Sequence, residues 1–333
     1  MKKNNPLISI IIVNYNGRHF VEDLVKSIRK STYKNYEIIV VDNNSPDKKM
    51  VGFEKDFPDV KVILHNRNDG FGAGINLGAE HMKGEYLFFL NNDIEIAPDC
   101  LEVFAREAKN IMVPKILLFQ KKTHVNSFGI KQNYLGLNMP AYLNEPDRRF
   151  SEKTASAGGI MCLRKEIFEE VGGFDTDFFL YHEDSDLSWR LRLRGYEINL
   201  INDAVIYHKY HYSVNTQKVY NSEKNRIQLV LKCYSTKSII ILLPMFMVVE
   251  LSQCVYALMT GWFWKKIGMY FDIDYKKLFK KRKIVQKTRK IKDREFFKLF
   301  VPYIKFELID SRGIKYVLSP MSQAYWKIVG WMI

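Results

Sequence analysis

The chain has 333 residues, 47% of them apolar and 14% aromatic, which excludes a disordered protein and exceeds what one small core needs. Its net charge of +14 sits mostly at one end: residues 261–333 carry 18 Lys and Arg against 6 Asp and Glu, so the basicity says little about the rest. The cysteines (Cys100, Cys162, Cys233, Cys254) are far apart with no CxxC pair, which excludes a zinc ribbon and reads as reduced thiols of a cytosolic protein. No signal peptide is expected, because Met1 to Pro6 is polar and Leu7 to Val13 is too short for its apolar segment.

Leu7 to Val13 (LISIIIV) is a continuous β-branched run, as in a strand buried on both faces. The polar loop Asn14-Tyr15-Asn16-Gly17 follows, then Phe20, Leu24 and Ile28 at helical spacing. Tyr36 to Val41 is a second buried strand, ending in Asp42-Asn43-Asn44-Ser45, and Val60 to Leu64 a third. Gly70 to Lys83 reads as a helix entered through glycines. Tyr86 to Leu90 is a fourth strand, stopping at Asn91-Asn92-Asp93, and Pro98 is placed at the first position of another helix. This alternation predicts βαβ units and a mainly parallel sheet flanked by helices. Ligands bind such sheets where the strands end, so the three polar clusters should converge on one rim. The same residue types also terminate strands and cap turns.

From Ile111 to about Asn144 the pattern weakens to short strands and loop. Ser156 to Leu163 reads as a strand and Arg164 to Val171 as a short helix. Asp184 to Arg194 reads as a helix with Leu187 and Leu191 on one face and Trp189 and Leu193 on another. Tyr196 to Ile201 and Ala204 to Tyr207 read as two strands, with His208 after them. Beyond Tyr212 the composition changes. Val219 to Tyr234 is helix-like, and Ser238 to Gly261 is long and apolar, interrupted by Pro244, Glu250 and Gln253. Between Lys276 and Arg294 there are eleven basic residues and one acid.

Six stretches in order, "IIIVNYNG", "IIVVDNNSPD", "NDGFGAGINLGAE", "YLFFLNNDIEIAPDCL", "SAGGIMCLRKEIFEEVGGFD" and "FFLYHEDSDLSWRLRLRGY", cover about Leu7 to Ser213. With them the chain resembles an inverting family-2 glycosyltransferase of the rhamnosyltransferase-like branch. The resemblance implies a GT-A (Rossmann-like) mixed α/β sheet over residues 1–213. The helical, basic residues 214–333 have no comparable match.

The resemblance also implies roles. Asn14, Tyr15, Asn16, Asp42 and Asn44 match the nucleotide-binding loops, and Asn68, Gly72 and Asn76 match contacts to the nucleotide diphosphate-sugar donor. Asn91 and Asn92 lie where the family carries DxD, whose last acid, here Asp93, holds a divalent metal. Mg²⁺ needs few protein carboxylates when phosphates and waters complete its shell, and His208 as a second ligand would suit Mn²⁺. Asn91 in place of an acid leaves metal strength and nucleotide preference open. Inverting transfer needs a carboxylate opposite the leaving group. Asp184 matches the family's base, with Glu183 beside it and Asp186 as runner-up; His211 is held in reserve as a ligand. The sugar suggested by the branch is rhamnose, from dTDP-rhamnose.

Ser238 to Gly261 is long enough to span a bilayer, but Glu250 and Gln253 argue against a simple lipid-facing span. The aromatic-basic stretch after it resembles an interfacial anchor. The expectation is a monotopic or re-entrant element on the cytoplasmic membrane face, serving a glycan or polyprenyl-linked acceptor; a buried helix with a solvated charged face is the alternative. No nucleic-acid-binding motif accompanies the basic run. A sugar nucleotidyltransferase is a rival reading, for which the loop "NYNGRHF" offers only Arg18 as a basic residue; a non-catalytic membrane-bound nucleotide-sugar binder is another.

Overall fold

The computed structural model describes residues 5–209, 216–305 and 313–333. Strands and helices alternate in the first part: β1 (Ile8–Asn14), α1 (Arg18–Arg29), β2 (Tyr36–Asp42), α2 (Phe53–Asp56), β3 (Val60–Leu64), α3 (Phe71–Ala79), β4 (Tyr86–Asn91), β5 (Ile94–Ile96) and α4 (Cys100–Glu107). Then come β6 (Ile111–Leu118), β7 (Lys121–Ser127), the small pair β8 (Ile130–Gln132) and β9 (Asn138–Pro140), β10 (Met161–Arg164), α5 (Lys165–Glu170), α6 (Glu183–Leu193) and β11 (Asn199–His208). The remainder is helical: α7 (Thr216–Cys233), α8 (Thr236–Met259), α9 (Phe263–Phe271), α10 (Tyr275–Thr288), α11 (Asp293–Phe297) and α12 (Ser319–Val329).

The main sheet runs in the order β3-β2-β1-β4-β10-β6-β11-β5, with β7 on β6. β1 to β4 are mutually parallel, β10 is antiparallel to β4 and β6, and β11 is parallel to β6. The continuous apolar runs are explained by burial on both faces. Ile10, Ile12, Ile38, Val40, Phe88 and Leu90 pack under α1 and α4, while their alternating neighbours Ile11, Ile39, Val41, Leu87 and Phe89 pack under α3, α5 and α6. Helix α6 is buried on both sides: Leu187 and Leu191 join the sheet layer, and Trp189 and Leu193 join a core built with α7, α8 and α12.

Three expectations are corrected, and one strand is added. Pro98 precedes α4 rather than opening it: its carbonyl accepts from Thr32 N (2.8 Å), which holds it in the preceding turn, and Asp99 is the N-cap. The strand expected from Ser156 begins only at Met161, because Gly158 has a φ of +82°, outside extended backbone. The two strands around Ile201 and Ala204 are one, β11, with an irregularity between Ile201 and Val205. The short strand β5 was absent from the reading, since three residues carry too little pattern.

Candidate active site

The carboxyl ends of β1, β2 and β4 lie level, with Asn14 opposite Asp42 and Val13 opposite Asn91. A cleft of about 270 Å³ opens there, lined by Val13, Tyr15, Asn43, Asn68, Gly70, Phe71, Asn91, Asn92, Asp93, Phe179 and Leu180. Beneath it the buried Asn14 amide joins the three clusters. Its Nδ2 donates to Asp42 Oδ1 (2.7 Å), and its Oδ1 accepts from Gly17 N (3.1 Å) and Asn92 Nδ2 (2.9 Å). Asp42 Oδ2 also accepts from Ser45 N (3.0 Å). Asn16 and Asn44 take left-handed turn conformations (φ 54° and 57°) just past β1 and β2. Asn16 N donates to Ser45 Oγ and Asn44 Oδ1 accepts from Lys48 Nζ; neither residue lines the cleft.

The polar end of "YLFFLNND" has a topological cause. After β4 the chain turns at Asn92 and Asp93, and β5 leaves to pair antiparallel with the end of β11, Ile94 opposite His208. Lys209 N donates to Asp93 O (2.9 Å), closing the pairing. Residues 115 apart in sequence thus meet: His208 Nε2 lies 3.2 Å from Asp93 Oδ2. Asn126 Oδ1, on β7, sits 2.8 Å from His208 Nδ1. An Nδ1–H donating to that amide leaves the Nε2 lone pair facing a carboxylate, an arrangement that calls for a proton or a cation between them. Asp93 Oδ1 is buried with no hydrogen-bond partner. An orphaned carboxylate oxygen beside an imidazole whose far nitrogen is fixed fits a divalent cation. Among the described residues no group of three His, Cys, Asp or Glu forms a fuller site, so a cation held here would draw the rest of its shell from substrate and water.

The loop from Phe174 to His182 forms one wall of the cleft. Gly70 has a φ of +88°, and a β-carbon there would come within 2.0 Å of Phe179 O, so only glycine permits this approach. Gly72 and Asn76 serve the loop instead of the cleft. Gly72 packs on Phe174, and the Asn76 amide is engaged at both ends by Phe174 backbone (Nδ2 to O 2.9 Å, N to Oδ1 2.8 Å). From the other side Asn225 of α7 donates to Leu180 O (3.1 Å) and Tyr181 O (2.7 Å). Lys232 Nζ reaches Asp175 Oδ2 at 2.6 Å. Tyr181 and His182 have φ of 70° and 64°, and this unusual pair of left-handed residues turns the chain into α6. Burial lowers the His182 pKa to about 4, so its ring is neutral at physiological pH.

Glu183 and Asp184 open α6 directly after the wall's last residue, His182, and neither side chain lines the cleft as it stands. Glu183 is buried, and its Oε2 has no hydrogen-bond partner. Burial, reinforced by Asp184, pushes its pKa up to about 8. Burial also raises Asp184, against a hydrogen bond from Ser185 N (2.6 Å). Asp186 cannot serve as the runner-up base. It is fully buried, with Oδ2 accepting from Arg190 Nε (2.8 Å) and Oδ1 against Lys232. His211 lies outside the described residues. Asn43, Phe71, Phe179 and Leu180 were not singled out from sequence, although each stands inside a quoted motif. Asn126 and Asn225 carried no signal.

A family model described as glycosyl transferase family 2 matches residues 9–172, and one described as the N-terminal domain of galactosyltransferase matches 141–212, a span that includes α6 and His208. Residues 9–172 are a glycosyl transferase family 2 domain. This glycosyltransferase is 28% identical over 240 residues to an uncharacterized glycosyltransferase of Rickettsia typhi, covering 66% of this chain and 70% of the relative. It is 26% identical over 252 residues to rhamnosyltransferase WbbL of Escherichia coli, covering 67% and 90% respectively. The crystal structure of GalNAc-T7 with UDP, GalNAc and Mn²⁺ superposes with a TM-score of 0.57 at 19% identity; 71% of this chain matches 49% of that one. The shared fold is GT-A.

Proposed function

We propose that this glycosyltransferase moves a sugar, rhamnose being the first candidate, from a nucleotide diphosphate-sugar to a hydroxyl of a glycan or polyprenyl-linked acceptor, with inversion and with Asp184 as base. The observation that carries the reading is the Asp93–His208 contact at the carboxyl rim, beside a cleft of polar amides. Tyr15, Asn43, Asn68 and Asn91 receive the nucleotide. The N-terminus of α3, reaching the cleft through Gly70 and Phe71, presents backbone N–H groups and a favourable dipole to the diphosphate. Asp93 and His208 hold a divalent cation, Mn²⁺ or Mg²⁺, which when bound offsets charge on the departing diphosphate. Asn91 adds a hydrogen-bonding amide without charge, so Asp93 is the carboxylate on which metal holding depends.

Asp184 accepts the proton of the acceptor hydroxyl as its oxygen attacks the anomeric carbon opposite the leaving group. Its burial strengthens it as a base. With a pKa of about 8, Glu183 stays protonated near neutrality, so the neighbouring acids do not both have to carry charge. The GalNAc-T7 crystal with UDP and Mn²⁺, and the likeness to a rhamnosyltransferase, support donor class, metal and sugar. The test is transfer from a panel of nucleotide sugars with Mn²⁺, comparing wild type with Asp184→Asn. Transfer should fall by about a thousandfold or more while nucleoside diphosphate still raises the melting temperature. Undiminished transfer would show that another group takes the proton.

A further inference from the structure

Helix α8 is apolar on two opposite sides. Leu242, Met245 and Val249 enter the core shared with α6 and α7. On the other side Ile240, Leu243, Met247, Leu251, Val255 and Leu258 recur at i+3 and i+4 spacing and are 49–66% exposed. Its polar residues Glu250 and Gln253 face inward. Glu250 meets Arg226, Lys266 (2.8 Å) and the Tyr270 hydroxyl, and Gln253 Oε1 accepts from Lys266 Nζ (2.6 Å). Arg226 and Lys266 are completely buried. This network fixes the rotation of α8. By length and composition α8 is able to cross a membrane. Drawing it off the protein to do so would leave two buried cations sharing the single acid Glu223 and open the core.

The next two helices each carry an exposed side of their own. α9 packs on α7 and α8 and projects Trp264 and Phe271, each more than four-fifths exposed. On α10, Lys276, Lys280, Lys283 and Lys287 fall on one helical stripe beside the exposed Phe279 and Ile284. These four lysines are exposed and form no ion pair among the described residues, whereas Lys277 and Lys281 of the same helix pair with Asp177.

We propose that the outer side of α8, α9 and α10 docks on an anionic phospholipid surface, with α8 lying in the plane of the interface and not spanning it. Aliphatic side chains would enter the acyl boundary, Trp264 and Phe271 the headgroup level, and the lysine stripe would meet lipid phosphates. Charge complementarity selects this occupant over a second copy, since two identical lysine stripes brought together would repel. The inference deepens the lipid-linked acceptor of the proposed function but rests on surface chemistry alone.

The test is flotation of the full chain with sealed vesicles of phosphatidylcholine, with and without phosphatidylglycerol. Binding to the anionic vesicles is expected, reduced about tenfold or more by Lys276→Glu, Lys280→Glu, Lys283→Glu and Lys287→Glu combined, and also by Leu251→Glu with Val255→Glu. Unchanged melting temperatures would exclude misfolding of these exposed-site variants. Single cysteines in place of Lys237, in the first turn of α8, and Lys265, beyond its end, with Cys254→Ser, should both react with an impermeant maleimide from outside. Protection of one of them would mean a span and overturn the in-plane docking. Equal binding to neutral vesicles with no effect of the lysine changes would overturn the anionic partner. Concentration-dependent dimerisation without vesicle binding would assign the face to a second copy. Neither vesicle result bears on soluble sugar transfer, so the two readings fail separately.

Discussion

Replacing Lys232 with Met tests how the loop that walls the cleft is held. Lys232 is 1% exposed, and its ammonium lies between Asp175 (2.6 Å) and the fully buried Asp186. Removing one partner of a buried pair costs roughly 3–5 kcal/mol, because the other charge remains buried. Lys281 still reaches Asp175 and Arg190 still holds Asp186, which points to the lower end, about 3 kcal/mol. Burial alone would raise the Asp175 pKa, but Lys232 and Lys281 hold it well below the ordinary 3.8. Its stabilising contribution is therefore present above about pH 4 and lost as the pH falls toward its folded-state pKa, so the deficit of the variant should be full at neutral pH and shrink in acid. Guanidinium unfolding followed by tryptophan fluorescence, to which the buried Trp189 contributes, reads the change. Asp175 anchors the loop whose Phe179 and Leu180 line the cleft, so donor KM should rise as well. Adding Asp186→Asn should recover part of the stability. A cost below about 1 kcal/mol at pH 7, with unaltered KM, would refute the claim that this pairing holds the wall.

Other substitutions probe the remaining parts of the site. Asn126→Leu, which removes the acceptor behind His208 Nδ1, should weaken Mn²⁺ binding about 10–100-fold, read as the Mn²⁺ concentration needed for half of the nucleotide-induced thermal shift. Glu183→Gln should flatten the pH dependence of stability: with a folded pKa of about 8 against 4.5 unfolded, wild type loses stability as pH rises between those values, by at most about 5 kcal/mol. Parallel melting curves of wild type and variant from pH 5 to pH 8 would contradict that. Gly70→Ala should displace the Phe179 carbonyl and cost about 1–3 kcal/mol, with loss of nucleotide binding in titration calorimetry.

The sheet was legible wherever burial on both faces left continuous runs, as in LISIIIV, YEIIVV and YLFFL, and the three polar clusters do meet at their ends. The two faces of α6 were legible for the same reason, since apolar periodicity records what each side touches. Less was legible where pairing, not composition, decides the structure. β5 is three residues long, and its effect, delivery of Asp93 to His208, depends on a strand over a hundred positions away. Asn126 lies in the irregular segment around β7, where a single amide leaves no pattern. The acids opening α6 could be read as a cluster, but telling Asp186 from its neighbours needed Lys232, on a helix beyond the recognisable motifs.

The irregularity in β11 has a bearing on which length changes the chain tolerates. Between Ile201 and Val205 the strand advances four residues while its partner β6 advances one, and the surplus is clipped outward by Asn202 on Phe150 and Asp203 on Arg149. Because neighbouring strand residues point to opposite faces, loss of a single residue from 202–204 would swing the imidazole at 208 through the sheet, away from the carboxylate it meets. The spacer thus sets the phase of the strand end that carries His208, and insertions or deletions harmless in an ordinary surface bend would here part His208 from Asp93.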